Sequence, residues 1–275
     1  AGTAARLLRG PGAAVAGTVG FAGSARRMLG PLPAPPSPLL RGRSRVSRTI
    51  VLEVPLADLR AGAKAVGGSV NDAYLAAVSG GLGRYHEALG LPVEALPLTL
   101  PVSLRTGADP ASGNQFTGVM IAAPVGEADP AERMRLIREQ VIARRSEAAI
   151  DVIGRLAPVL EYLPDGVLQV LTDRITAADI QASNVPGYAQ DTFLAGAKVE
   201  RQYGMGPLPR VAMMIILISR AGICTLTARY DTASFTDAER LEKCLQLGLD
   251  EVVELGRPRP KPKPKPRTRA PRRQA

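Results

Sequence analysis

A mixed β-sheet flanked by helices, an α/β (α+β) fold, is what this 275-residue sequence predicts. Three features predict it. Residues 211–218 are apolar at every position, the pattern of a central strand buried on both faces. Residues 220–222 (RAG) then make a tight connection to a second strand-like run, 223–231, so that the pair reads as a hairpin. Upstream, Val70, Tyr74, Val78, Leu82, Tyr85 and Leu89 step by four, four, four, three and four, the stripe of a core-facing helix. Strand-like and helical patterns mix along the chain, with no strand–GxGxxG–helix unit and no P-loop.

The elements follow in order. Residues 1–48 read as a basic, Pro-rich lead-in, in which PLPAPPSP (31–38) forbids regular structure because proline lacks a donor and fixes φ. The folded body spans 49–256. TIVLEVP (49–55) is a strand, and Leu56, Leu59, Ala63 and Val66 mark a short helix. GGSVNDAYLAA (67–77) opens the striped helix, with Ser69 as N-cap and Asp72 three residues on. LPLTLPVSLR (96–105) and TGVMIAAPV (117–125) are strands joined through GNQF. Residues 129–148 form an amphipathic helix whose Asp129 and Glu132 stand at capping-box spacing. A further helical stretch covers about 157–175. Strands return at 179–186, 192–204, 211–219 and 223–231, and TDAE (236–239) caps a last helix to about residue 255. The tail, 257–275, alternates proline with base and is predicted disordered.

The formal charge of +10 is a property of the ends. Residues 1–48 hold eight Arg and no acid, and 257–275 hold nine Lys/Arg and no acid. That leaves 18 basic residues against all 25 acidic ones between 49 and 256. An acidic body without an aromatic platform argues against a nucleic-acid partner. The basic ends suit the anionic surface of a membrane or lipid droplet, or act simply as solubilising tails. No apolar stretch approaches the roughly 20 residues that span a bilayer. Two cysteines without a CxxC point to a reducing, cytoplasmic setting.

Chemistry inside the chain is sparse. His86 is the single histidine and reads as a surface residue near a helix end; no GxSxG supplies a nucleophile to pair with it. Cys224 and Cys244 sit among apolar neighbours and read as core. No His/Cys/acid cluster has metal-ligand spacing. What remains is a set of short polar motifs: SVNDAYLA, PVSLR, GNQF and ASNVPG. Each has a plain structural reading, namely a helix cap at Asp72, a surface charge at Arg105 and a turn organised by Asn184.

Taken in order, the motifs resemble the bacterial wax ester synthase/diacylglycerol acyltransferase family: ND at a helix start, PVSLR, GN-x-F, a DP-opened helix, then SNVPG. The similarity runs from about residue 46 to 255, over that family's carboxy-terminal half. The resemblance implies a chloramphenicol-acetyltransferase-like fold of two similar halves around a tunnel, of which this chain is one. It implies transfer of a fatty acyl group from acyl-CoA to the hydroxyl of a diacylglycerol or long-chain alcohol, with acyl-CoA as substrate and no bound cofactor or metal. The family's base is the second histidine of HHxxxDG. A hydroxyl becomes a useful nucleophile once a positioned base takes its proton. This sequence contains no HHxxxDG, so the motif is expected upstream of residue 1, in a histidine-bearing amino-terminal half that is the natural partner, and this chain alone is expected to be inactive. By the same resemblance Asn71, Asp72, Arg105, Asn114, Ser183, Asn184, Pro186 and Gly187 are the family-motif residues near the tunnel or the junction of the halves. Asn71 is the better functional candidate and Asp72 the structural one. Tyr188 departs from the family's usual proline after SNVPG. The rival reading is a non-catalytic lipid- or partner-binding module on the same half-fold.

Overall fold

The computed structural model describes residues 32–44, 46–103, 116–145, 178–188, 190–208 and 210–257. The helical stretch expected at 157–175 lies outside them, as do Arg105, Asn114, most of the basic tail and residues 1–31. Chain order is β1 (Ser47–Pro55), α1 (Leu56–Ala65), α2 (Val70–Ala88), β2 (Leu96–Ser103), β3 (Phe116–Ala123), α3 (Pro130–Arg145), β4 (Ile180–Pro186), β5 (Phe193–Leu194), β6 (Ala197–Lys198), β7 (Met213–Arg220), β8 (Ile223–Asp231) and α4 (Ala238–Leu255).

Among the described residues six strands form one sheet in the order β1-β8-β7-β4-β2-β3. β4 runs parallel to both β2 and β7, and the other pairs are antiparallel, so the sheet is mixed as predicted. The β7–β8 hairpin turns on Ala221 (φ 47°) and Gly222 (φ 84°), a pair of left-handed residues that matches the strands' twist. One sheet face, carrying Leu52, Leu98, Ile121, Ala182, Ile215, Leu217 and Leu226, is continuous with the buried faces of the helices. On the other face Met214, Ile216 and Ile218 make a separate small cluster with Leu208. β7 is therefore buried on both sides, as its all-apolar run requires.

The central helix differs from expectation. α2 is buried on nearly every side between residues 72 and 86, not along one stripe. Small residues make this possible. A Cβ on Gly248 of α4 would collide with the Ala77 carbonyl of α2, so the two helices pack at a distance only glycine allows. Glu251 of α4 bridges Arg84 of α2 and Arg133 of α3, tying three helices by ion pairs; the Arg133 side chain is 2% exposed.

Other departures have simple causes. The 192–204 strand is instead a two-residue hairpin, β5–β6, around Ala195 and Gly196, both with positive φ. The α3 capping box is absent: Glu127 Oε1 takes the Asp129 N–H at 2.8 Å and Glu132 pairs with Arg135. At α4 the cap is Asp237, whose side chain accepts from Arg240 N, not Thr236.

The lead-in also has more structure than its prolines suggest. Pro38–Leu40 form a 3-10 turn capped by Ser37, and Leu40 is buried. His86, expected at the surface, is fully buried. Its Nε2 lies 2.8 Å from Ser37 Oγ and its Nδ1 2.8 Å from the Leu82 carbonyl. A carbonyl only accepts, so Nδ1 carries the proton and Nε2 accepts from the serine hydroxyl. Burial lowers the His86 pKa, which favours this neutral form. Beside it Ser37 N–H donates to Asp179 Oδ2 at 2.6 Å.

Burial pushes the Asp179 carboxyl up to about 6 despite relief from Ser37 N–H and the Arg43 and Arg41 charges. An unfolded Asp titrates near ~3.9, so between roughly pH 4 and 6 the folded state binds more protons and stability falls as pH rises. Asp179→Asn keeps an acceptor for Ser37. It is expected to stabilise the protein by about 1–3 kcal/mol at neutral pH and to do little near pH ~4. Urea melts at both pH values check this, and an equal effect at both would refute it.

Candidate functional site

The start of α2 meets the end of β4. Ser69 and Asp72 form the full capping box: Ser69 N–H donates to Asp72 Oδ2 at 2.8 Å, and Asp72 N–H donates to Ser69 Oγ at 3.3 Å. Ser69 Oγ–H and Arg138 Nη1 also donate to the same Oδ2, at 2.8 and 3.1 Å. With every contact directed at the helix start or at α3, Asp72 is 4% exposed and holds local structure.

Asn71, one residue earlier, is free of that cap. Its Oδ1 accepts from Asn184 Nδ2 at 3.4 Å, across 113 residues of sequence. The structure thus brings together SVNDAYLA and ASNVPG. Beneath them the Tyr74 hydroxyl donates to the Ile215 carbonyl of β7 at 2.8 Å and interacts with the Ser183 backbone of β4. Burial raises the Tyr74 pKa far above that of a free phenol, so this contact stays a neutral donor. Tyr74 therefore fixes how the first turn of α2 sits over the parallel β4–β7 pair.

Ser183 is half-buried and Asn184 exposed, so the strand carries its polar residues out of the core at this end. Gly187 N–H continues the β4–β7 ladder by donating to the Ser219 carbonyl at 2.9 Å. A Cβ there would lie 2.6 Å from that oxygen, which explains the glycine that ends SNVPG. Pro186 stands opposite Ser219, where its missing N–H marks the end of the strand. Tyr188, where the family usually has proline, is 67% exposed.

Among the described residues the junction offers amide donors and acceptors, and its one carboxylate, Asp72, is taken up by the helix cap and Arg138. His86 has both ring nitrogens engaged inside the core. Cys224 and Cys244 are buried free thiols; burial pushes Cys224 up to about 11, away from the thiolate a nucleophile needs. Among the described residues no three His, Cys, Asp or Glu side chains group as metal ligands. Sequence reasoning missed Tyr74 and Arg138 at this junction. The signal was there for Tyr74, a phenol in a buried stripe that needs a partner.

The junction and its fold have relatives. The family model described as the wax ester synthase/diacylglycerol acyltransferase C-terminal domain matches residues 112–252. The model of the family's catalytic domain matches residues 1–74. The likeness therefore begins at residue 1, not near 46: the lead-in, β1, α1 and the capped start of α2 all belong to the catalytic-domain match. A Mycobacterium tuberculosis H37Rv protein named as a candidate diacylglycerol O-acyltransferase is 54% identical over 252 residues, 92% of this chain and 51% of its own length. The chain spans about half the length of the curated relatives it matches. Among solved structures, the Marinobacter aquaeolei wax ester synthase/diacylglycerol acyltransferase superposes with a TM-score of 0.60 at 19% identity, over 88% of this chain and 57% of that one. A nonribosomal peptide synthetase matches with the same TM-score and identity over 87% of this chain and 26% of that one, a shared fold. By these matches the chain belongs to the wax ester synthase/diacylglycerol acyltransferase family.

Proposed function

We propose that this chain is the carboxy-terminal half, made of the C-terminal domain and the end of the catalytic-domain match, of an acyl-CoA-dependent O-acyltransferase that esterifies a diacylglycerol or a long-chain alcohol. It forms one wall of the substrate tunnel, with acyl-CoA as substrate and no resident cofactor. The observation that carries the reading is the Asn71–Asn184 contact, which joins two family motifs on adjoining elements where the core opens to solvent. Asn71 and Asn184 supply hydrogen bonds that orient a neutral carbonyl or hydroxyl, while Asp72, Pro186 and Gly187 hold the geometry; Ser183 lines the neighbouring sheet face. Arg105 and Asn114 remain tunnel candidates by family likeness.

The base belongs to the histidine-bearing amino-terminal half. The one histidine of this sequence is buried and doubly hydrogen-bonded, so it cannot meet an acceptor hydroxyl. The exposed apolar side chains of Val185, Tyr188, Phe193, Leu194, Tyr203 and Met205 follow the SNVPG strand and suit the face that meets that half. Among the described residues no helix is long and apolar enough to cross a membrane. A cytoplasmic enzyme touching a membrane or lipid droplet through its basic ends fits that finding.

The test compares the 275-residue chain with the same chain preceded by the amino-terminal half of the 54%-identical relative. Transfer of acyl groups from acyl-CoA to diacylglycerol or fatty alcohol is expected only from the second. Asn71→Ala in that longer protein is expected to lower kcat/KM about tenfold, the effect of losing one orienting hydrogen bond. Turnover by the short chain alone would sink the proposed division of labour.

A further inference from the structure

A second site lies at the opposite end of the sheet, where β1 and β7 begin and β8 ends. An open cleft of about 630 Å³ is lined there by Arg41, Arg43, Arg210 and Arg229. Arginines gathered around one cleft repel one another, and such a group persists only when the fold holds it in place. For Arg43 and Arg229 the holding is done by neutral acceptors. Arg43 donates to the Arg210 carbonyl at 3.1 Å, to the Gly42 carbonyl at 2.8 Å, to Ser234 Oγ at 2.9 Å and to the Leu40 carbonyl. Arg229 donates to Ser47 Oγ at 3.1 Å and to the Gly206 carbonyl at 3.2 Å. Neither forms an ion pair among the described residues.

Two acids lie at or behind the cleft and both feel the Arg43 charge; backbone and hydroxyl donors engage Asp231, and a backbone N–H engages Asp179. Asp231 accepts from Ser44 N–H at 2.6 Å, Ser44 Oγ–H at 2.8 Å and Ala233 N–H at 2.8 Å. Asp179 accepts from Ser37 N–H and lies buried behind the segment. Arg210 adds a further mark. Its φ of 63° is a left-handed conformation that a non-glycine residue adopts at a cost of about 1–3 kcal/mol. In that conformation its carbonyl receives the Arg43 Nε–H, so the strain and the placing of a second guanidinium occur together.

We infer that this cleft binds the phosphate groups of a soluble organic phosphate, with Arg41 and Arg229 donating directly to the phosphate oxygens and Arg43 adding to the positive field. Planar guanidiniums match phosphate oxygens in bidentate geometry. Arg229, already held by Ser47 Oγ and the Gly206 carbonyl, loses little freedom on binding. The cleft is recessed, which favours a soluble ligand over a flat bilayer. Register places Arg229 opposite Met214, and Ser183 opposite Ile216, on one sheet face and two residues apart along β7. Met214 and Ile216 between them lie buried under Gly204, Gly206 and Leu208, so an elongated ligand held in the cleft passes over that segment and not along the sheet face. The phosphates of an acyl-CoA donor are such a ligand; that identification rests on the acyltransferase reading, whereas the phosphate site itself does not.

Calorimetric titration of the full chain with pyrophosphate and with coenzyme A tests both levels. Arg41→Gln and Arg229→Gln are each expected to weaken binding of both probes about tenfold, the effect of one lost charge-assisted hydrogen bond. Arg229→Lys is expected to restore part of the loss. Arg135→Gln, on the exposed face of α3, is expected to bind as the unmodified chain does. Melting temperatures of all variants separate lost binding from lost folding. Binding unchanged in Arg41→Gln and Arg229→Gln overturns the site, because the basic ends of the chain are then the binders. Arginine-dependent sedimentation with phosphatidylglycerol but not phosphatidylcholine vesicles, without binding of either probe, overturns the soluble ligand. Pyrophosphate binding without any gain for coenzyme A keeps the cleft and overturns the link to acyl transfer.

Discussion

Glu251→Ala is expected to destabilise the protein by about 3–5 kcal/mol, the penalty for leaving a buried charge unpaired. Arg133 is the reason. Its side chain is 2% exposed, and without Glu251 its guanidinium keeps only the Glu127 carbonyl, 2.7 Å from Nη1. Arg84 loses its carboxylate too but is 39% exposed, and water compensates it. Two comparisons make the result diagnostic. Arg135→Ala removes two pairs on the solvent side of α3 and should cost under about 1 kcal/mol. Replacing Arg133 by Met together with Glu251 by Leu should recover most of the loss, because an apolar pair of similar volume avoids the desolvation penalty. Chemical denaturation of the three variants checks all of this, and a Glu251→Ala loss no larger than that of Arg135→Ala would contradict it.

Gly248→Ala is the second large effect, about 3 kcal/mol, and Gly248→Val should prevent folding. The new Cβ would overlap the Ala77 carbonyl, part of a helix backbone that cannot swing aside as a side chain can. Overpacking a tight core ordinarily costs about 1–3 kcal/mol, and a clash between two helix backbones falls at the upper end. The separation of α2 from α4 would also reach Gly81, whose amide nitrogen would lie 2.8 Å from the same Cβ. Lys243→Ala, on the exposed side of α4, should shift stability by less than about 0.5 kcal/mol. Thermal melts of the three proteins decide the point: a Gly248→Ala midpoint matching that of Lys243→Ala would show that the helices part without penalty.

Local patterns carried much of this fold. The strand at 223–231 has the bounds its alternation and flanking turns suggested, and Ser69 with Asp72 forms the capping box their spacing implied. These features are written within a few residues of one another. What escaped was set at long range. His86 looked like a surface residue because its partner, Ser37, stands 49 positions away in a proline-rich stretch. The stripe on α2 hid a helix buried all round, since Gly80, Gly81 and Gly83 carry no hydrophobic signal yet permit close packing. The 192–204 run has the composition of a strand, but left-handed residues at its centre fold it back on itself. At the candidate site the motifs marked Asn71 and Asn184 separately; only the sheet order, with β4 beside β7 under α2, shows that they touch.

The clamp on the lead-in has one more consequence. Ser37 is held by His86 and Asp179, and Ser44 by Asp231, so the chain is pinned to the body well before β1 begins. Residues 37–44 are therefore held on the folded body and are not a free linker ahead of the first strand. Effective concentration between tethered partners rises steeply as the free tether shortens, roughly as its length to the −3/2 power. The Ser37–His86 contact, between residues 49 apart in sequence, thereby moves the point from which any tethered partner is reached from β1 back to residue 37.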